Sequence, residues 1–214
     1  MKRKHIDVND YAAEILRALR PGILLTTKAE GKVNSMVIGW GTIGMNWGRP
    51  VFAVYVREGR YTRTLLDQNP EFTINAPFFP IGEKEREILK ICGSKSGRNM
   101  DKIAKLGLTP VEGEKISVPG ILEFPLTLEC KVLYRQKQEY ELYPESVRPS
   151  YPQDVDSSFP MANKDVHVTY FGEIVDAYLL MDPKLEAADA ITQKLCSMDP
   201  EKRIAALLEI EKQI

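Results

Sequence analysis

Residues Asn34–Thr64 read NSMVIGWGTIGMNWGRPVFAVYVREGRYTRT, and the fold turns on how this stretch is read. Val33–Thr42 has the pattern of a β-strand. Side chains alternate between faces, so Met36, Ile38 and Trp40 share one face, and Val37, Gly39 and Gly41 the other. Two glycines on one face leave bare backbone, which often marks the approach of a ligand or another backbone. Val51–Val56 is apolar on both faces and predicts a buried strand. It runs into Arg57, Arg60, Tyr61, Thr62 and Arg63, and then a short helical pattern, Leu65–Gln68. Gly39-Trp40-Gly41-Thr42-Ile43-Gly44 also fits G-x-G-x-x-G, the dinucleotide fingerprint, but that motif has to open a helix. Here Asn46, Gly48 and Pro50 follow, and then another strand. Proline fixes φ and lacks an N–H, so a helix through Pro50 is rejected, and the Rossmann reading with it.

Upstream, Asn9 or Asp10 can cap a first helix in which Tyr11, Ile15 and Leu19 share a face. Pro21-Gly22 stops that helix. Ile23–Lys28 predicts a strand, and Ala29–Lys32 a polar turn leading into the central strand. Downstream, Phe72–Asn75 is a further strand, closed by Pro77. Glu83–Ile91 predicts a charged helix with Ile88 and Ile91 turned inward. A small basic loop, Cys92–Arg98, comes next. A second helix, Met100–Leu106, ends at Gly107. Glu112–Gly120 reads as loop. Leu126–Tyr134 alternates, placing Leu126, Leu128, Cys130, Val132 and Tyr134 inward and Thr127, Glu129, Lys131 and Arg135 outward. Tyr140–Lys164, rich in Pro, Ser, Asp and Tyr, predicts a long irregular lid or excursion. Val166–Leu180 returns to strand, and Asp182-Pro183 starts a helical section with an apolar stripe at Ile204, Leu207 and Leu208. Short strands without βαβ alternation argue for an antiparallel barrel with peripheral helices. The expected organisation is a barrel domain over residues 1–182 and a C-terminal helical extension over 183–214.

Composition sets the outer bounds. The 214 residues are 43% hydrophobic and 28% charged, with a net charge of −1, as in ordinary soluble domains. No basic excess points to nucleic acid, and no run reaches membrane-spanning length. The basic N-terminus lacks the apolar core of a secretory signal. Cys92, Cys130 and Cys196 are odd in number and far apart, which suits a reducing cytoplasm; no Cys/His spacing suggests a metal site.

Four groups of residues could carry chemistry. Arg57, Arg60, Thr62 and Arg63 place cations and a hydroxyl at a helix start, which suits a phosphate. Charge runs are usually solvated turns; the glycine-faced strand just before this one tips the reading toward a mononucleotide, a flavin in particular. Ser94, Ser96 and Gly97, with Lys102, form a second phosphate candidate, because small residues expose backbone N–H groups. Trp40 is the third. A lone strand tryptophan is more often core, but its glycine neighbours make a ligand contact competitive. His167 is the fourth, read from the residues alone as a satisfied, partly buried histidine. Cys92 has no CxxC partner and is assigned to packing.

In order, NSMVIGWGTIG with PVFAVYVREGRYT, then SGRNMDK at Ser96–Lys102, then DVHVTYFGEI at Asp165–Ile174 resemble the flavin reductase-like family with the FMN-binding split-barrel fold. The chain looks closest to the flavoredoxin-type branch. The third block departs from the family's D-H-x-x-x-x-G-E pattern, because Val166 separates Asp165 from His167. The resemblance implies a mainly β, antiparallel Greek-key split barrel. It also implies non-covalent FMN near a homodimer interface, and electron transfer with NADH or NADPH or with a redox protein partner. Carried onto this chain, it runs Asn34, Ser35, Met36, Ile38, Gly39, Trp40, Gly41 and Thr42 along the isoalloxazine ring. Arg57, Arg60, Thr62, Ser94, Ser96, Gly97 and Lys102 would surround the ribityl phosphate, and His167 would sit near the ring.

Overall fold

The computed structural model describes residues 2–78, 80–148, 166–196, 198–199 and 202. Its elements are β1 (Arg3–His5), α1 (Ala12–Leu19), β2 (Ile23–Ala29), β3 (Lys32–Ile38), β4 (Gly41–Asn46), β5 (Arg49–Arg57) and α2 (Tyr61–Gln68). Then come β6 (Glu71–Ala76), α3 (Glu83–Ser94), α4 (Lys102–Leu106), β7 (Pro110–Val111), β8 (Gly120–Ile121), β9 (Leu126–Lys137), β10 (His167–Leu180) and α5 (Pro183–Cys196). Lys4–Leu180 forms one compact unit, and the residues described after it fall in another. No described helix is long and apolar enough to cross a membrane.

The main sheet runs β3-β2-β6-β9-β10-β5-β4, with β1 on β10. The pairings along that seven-strand path are antiparallel. The outermost strands, β3 and β4, are consecutive in sequence and joined only by Gly39 and Trp40. Three Cα–Cα steps reach at most about 11 Å, so the two edges lie side by side without pairing. The sheet is therefore curled into the expected antiparallel split barrel, open between β3 and β4. This corrects the single strand expected over Val33–Thr42: the chain breaks at Gly39-Trp40 as it passes from one edge to the other.

Two tight hairpins set the register. Glu30 (φ 48°) with Gly31 (φ 76°) joins β2 to β3, and Trp47 (φ 49°) with Gly48 (φ 72°) joins β4 to β5. Two left-handed residues in a two-residue loop match the twist of the flanking strands. Ile23, Leu24, Leu25, Phe52, Val54, Phe72, Ile74 and Leu128 are fully buried in the core. Among them lies a buried polar network. Thr26 and Ser35 hydroxyls meet at 2.8 Å, and Asn75 Nδ2 donates to Thr26 and Thr73, each at 3.0 Å. Asn75 Oδ1 accepts from Ile121 N at 2.9 Å.

Several expectations need correction. Thr127 and Glu129 do not face solvent; both are 0% exposed. The loop before β8 covers that face of β9, and Glu129 holds it there. The Glu129 carboxylate accepts from the N–H groups of Glu114 and Lys115 (2.7 Å each) and Ile116 (3.2 Å), and from the Tyr178 hydroxyl at 2.7 Å. Tyr134, expected inside, is 49% exposed, because β9 runs out from under its cover after Cys130. The cap of α1 is Tyr11 without a side-chain bond, not Asn9 or Asp10; Asn9 is instead turned onto Asp7. Helix α3 extends through Cys92, Gly93 and Ser94, which were expected in a loop, and α4 starts at Lys102. The short strands β7 and β8 pair with each other and flank the stretch Glu112–Gly120 expected to be loop, which they enter only at Gly120.

His5 ties the first strand down. Its Nδ1 lies 3.1 Å from Asp176 and its Nε2 3.4 Å from Glu114.

Glu129→Gln should destabilise the barrel by at least about 2 kcal/mol, since an amide cannot accept on both arms and buried N–H groups lose a charged acceptor. Urea unfolding reads this directly; a loss below about 0.5 kcal/mol would mean that Glu129 does not anchor the loop.

Candidate functional site

The apolar run of β5 ends at Arg57, and the chain turns through Glu58, Gly59 and Arg60 into α2. The turn closes with Arg60 N–H donating to Arg57 O at 3.0 Å. Arg60 is the N-cap of α2; no side chain caps that end, and its first turn holds no acidic residue. The N–H groups of a helix start point outward with partial positive charge, so an uncapped, acid-free N-terminus beside arginines favours an anion.

Lys102 deepens this electropositive spot. It is only 3% exposed although a lysine is normally solvated. Burial pulls its ammonium below the ordinary lysine range; the Cys92 thiol pushes it back up and Arg60 lowers it further. No carboxylate is among the groups acting on it. A buried cation beside a second cation is costly unless something anionic joins them. Burial in turn raises the thiol of Cys92, and Lys102 offsets part of that shift. Cys92 packs in a cluster with Leu24, Ile88, Leu108, Ile121 and Phe124, as its assignment to packing expects.

Asn34 and Thr62 connect the barrel to this turn. Asn34 Nδ2 donates to Thr62 Oγ1 at 3.0 Å, and both residues are buried. The buried Asn34 Oδ1 accepts no hydrogen bond. Gly97 lies directly over that amide: any side chain there would run into Asn34 and the Tyr61 ring. The turn carrying Gly97 is closed by Asn99 N–H to Ser96 O and by Arg98 N–H to Ser96 Oγ, each 3.2 Å. A cleft of about 510 Å³ opens here, with Lys32, Asn34, Tyr61, Gly97, Arg98 and Asn99 among its walls.

On the other side of the β5–α2 turn lies an aromatic cleft of about 300 Å³, lined by Trp40, Tyr55, Gln138, Tyr143 and His167. His167 opens β10 opposite Arg57 of β5. It is 5% exposed, and its ring centroid stands 5.4 Å from that of Trp40, which is 53% exposed. Burial, with Tyr55 nearby, raises the Tyr143 hydroxyl above its usual range. Among the described residues, this cleft is lined by rings, hydroxyls and an amide and by no Lys, Arg, Asp or Glu, in contrast to the cationic turn.

Of the residues expected to line a ligand, Asn34, Thr62, Gly97, Arg60 and Lys102 converge, and Trp40 pairs with His167. Others are placed differently. Ser35 is fully buried with its hydroxyl on Thr26, and Ile38 is buried. Ser94 ends α3 and donates to Lys90 O at 2.7 Å. Thr42 meets Tyr55 OH at 2.9 Å. Met36 and Arg57 are half-buried, and Gly39 and Ser96 are exposed. The bare backbone at Gly41 is covered by the protein itself, because a Cβ there would come within 2.7 Å of the Phe52 ring. Asp165 lies outside the described residues, as does most of the Tyr140–Lys164 excursion. Tyr55, Tyr61, Arg98, Gln138 and Tyr143 were not anticipated. For Arg98 and Tyr61 the signal was their place inside the two motif blocks.

A curated relative, an uncharacterized protein of Archaeoglobus fulgidus, is 32% identical over 102 residues, 48% of this chain and 55% of its own length. The match thus spans about half the length of that relative. Among solved structures, the flavoredoxin of Desulfovibrio vulgaris (Miyazaki F) is 26% identical with a TM-score of 0.55, over 77% of this chain and 71% of its own. Nitrilotriacetate monooxygenase component B from Bacillus cereus shares the fold at 18% identity and a TM-score of 0.55, over 85% of this chain and 83% of its own. The family model described as "Flavin reductase like domain" matches residues 17–189. The chain belongs to the flavin reductase-like domain family.

Proposed function

We propose that this protein binds FMN non-covalently and works as an oxidoreductase passing electrons from NADH or NADPH to flavin. The observation that carries the reading is the buried Lys102, set beside Arg60 and the uncapped start of α2 with no carboxylate acting on it. A phosphomonoester supplies the missing charge. Arg60, Lys102 and Thr62 hold the phosphate, Asn34 and Gly97 adjoin them, and Trp40 and His167 serve the ring. When bound, the flavin supplies the redox chemistry, and the side chains bind and orient. The uncharged aromatic cleft at Trp40, Tyr55 and His167 gives a nicotinamide a surface on which to stack. The flavoredoxin likeness favours a second reading, an FMN electron carrier reduced by a protein partner. The protein also works, we propose, as a homodimer: Met45 and Trp47, on and beside the edge strand β4, are 62% and 72% exposed, an apolar edge that association would cover.

Three measurements test this. Lys102→Ala should weaken FMN about tenfold or more and riboflavin, which lacks the phosphate, much less. The sign with pH follows from the lowered ammonium: it is protonated at low pH and discharges below the usual lysine range. FMN affinity should therefore fall as pH rises toward the lysine range, once the phosphate is fully dianionic. Riboflavin affinity should stay level, and Lys102→Ala should flatten the FMN profile. Equal losses for both flavins would remove Lys102 from the phosphate site.

For the electron donor, the FMN-loaded protein is mixed anaerobically with NADH and with NADPH. Loss of oxidised-flavin absorbance faster than for free FMN is expected with at least one of them; no acceleration with either would leave the carrier reading. Light scattering at micromolar concentration should return twice the 24.3 kDa chain mass, and a monomeric mass would refute the dimer.

A further inference from the structure

Arg98, in the wall of the cleft beside Gly97, binds the β5–α2 turn. Its Nη1 donates to Gly59 O at 2.9 Å, and its Nη2 to Thr64 Oγ1 at 3.2 Å. Its guanidinium carbon lies 5.4 Å from the centroid of the Tyr61 ring, over the ring face. One side chain thus grips the turn before α2, the first residue of α2 and the end of its first turn. Its own backbone N–H is fixed on Ser96 Oγ. Arg60 acts electrostatically on Lys102, whereas Arg98 is not among the groups that do. The planar fork of an arginine suits a carbonyl and a hydroxyl at fixed separation, and a lysine ammonium cannot span both.

We infer that Arg98 is a positioning residue: it locks the Ser96–Asn99 turn onto Gly59, Tyr61 and Thr64, and so fixes Arg60, Thr62 and the start of α2 in the geometry that receives the phosphate. The inference rests on the FMN reading above. Arg98 acts through the backbone of the turn and its guanidinium does not touch the ligand. The Thr64 hydroxyl is the second arm of the same lock.

The test measures FMN and riboflavin affinities by flavin fluorescence for the full chain and for R98A, R98K, T64V and R98A/T64V, at several salt concentrations. R98A should weaken FMN about tenfold and riboflavin by less than about twofold, the scale of losing charge-assisted bonds at a preorganised site. R98K should not rescue. T64V should cost about threefold, and R98A/T64V should bind no worse than R98A, because the two act as one unit. The salt dependence of FMN binding should be unchanged in R98A, since no charge contact to the phosphate is lost. Rescue by R98K with a flatter salt dependence in R98A would make Arg98 a direct phosphate ligand and overturn the inference. Additive losses in the double variant, or wild-type FMN affinity in R98A, would overturn it too. If R98A does not fold, T64V decides: wild-type FMN affinity there refutes the lock. A wild-type protein that binds neither flavin would instead defeat the cofactor reading itself.

Discussion

The link between β3 and β4 is the constraint on which the rest depends. Two residues, Gly39 and Trp40, carry the chain from one edge of the sheet to the other. A connection that short cannot bridge the ends of a flat sheet, so the strands between must coil into a barrel. The two edges meet without pairing, and the split opens at Gly39 and Trp40, where backbone and indole are exposed. The short link also puts Trp40 within ring contact of His167, which lies much later in the chain. Glycine at 41 lets Phe52 pack beneath the start of β4, so the strand after the link can lie flat on the core.

Most of the barrel was legible because its strands are bounded by strong turn chemistry. Ala29–Lys32 reads as a turn between strands, and Pro50 argues against a helix where a glycine motif suggests one, whereas the Trp47-Gly48 hairpin carries no such sequence signal. The misreadings share a cause: alternation reports which residues are polar, not what covers them. Glu129 and Thr127 look like an outer face, yet a loop whose backbone N–H groups need an acceptor lies over them. Tyr134 looks like core, but the strand outruns its cover. At the site, Asn34, Thr62, Gly97 and Lys102 were legible from motif order. Ser35 lies inside the first of those motifs and Ser94 just before the second, and both turned to structural bonds instead, a choice of direction that side-chain type does not encode. Arg98 was passed over because its partners, Gly59 and Thr64, lie in another block of the chain.

The end of the site proposed for the phosphate has the marks of stability set aside for recognition. Among the described residues, no carboxylate is among the charges shifting Lys102, and Asn34 Oδ1 has no donor under Gly97. Each is a local cost to the fold that a bound anion or a small rearrangement of the Ser96–Asn99 turn can relieve. The aromatic cleft on the other side of the turn carries no such debt of charge. Its described residues are aromatic rings, hydroxyls, an imidazole and an amide, suited to a planar partner.

The strand order also governs how the chain reaches this state. The β2–β3 and β4–β5 hairpins close loops of two residues and can form within microseconds, before anything else is in place. The pairing of β5 with β10 joins Arg57 to His167 across half the chain, and that closure carries a much larger entropic cost. Until β10 docks, the apolar strand β5 has β4 on one side and an open ladder on the other. The slow step of folding therefore coincides with the assembly of the His167 end of the site, and the newly made chain exposes its stickiest edge for as long as that step takes.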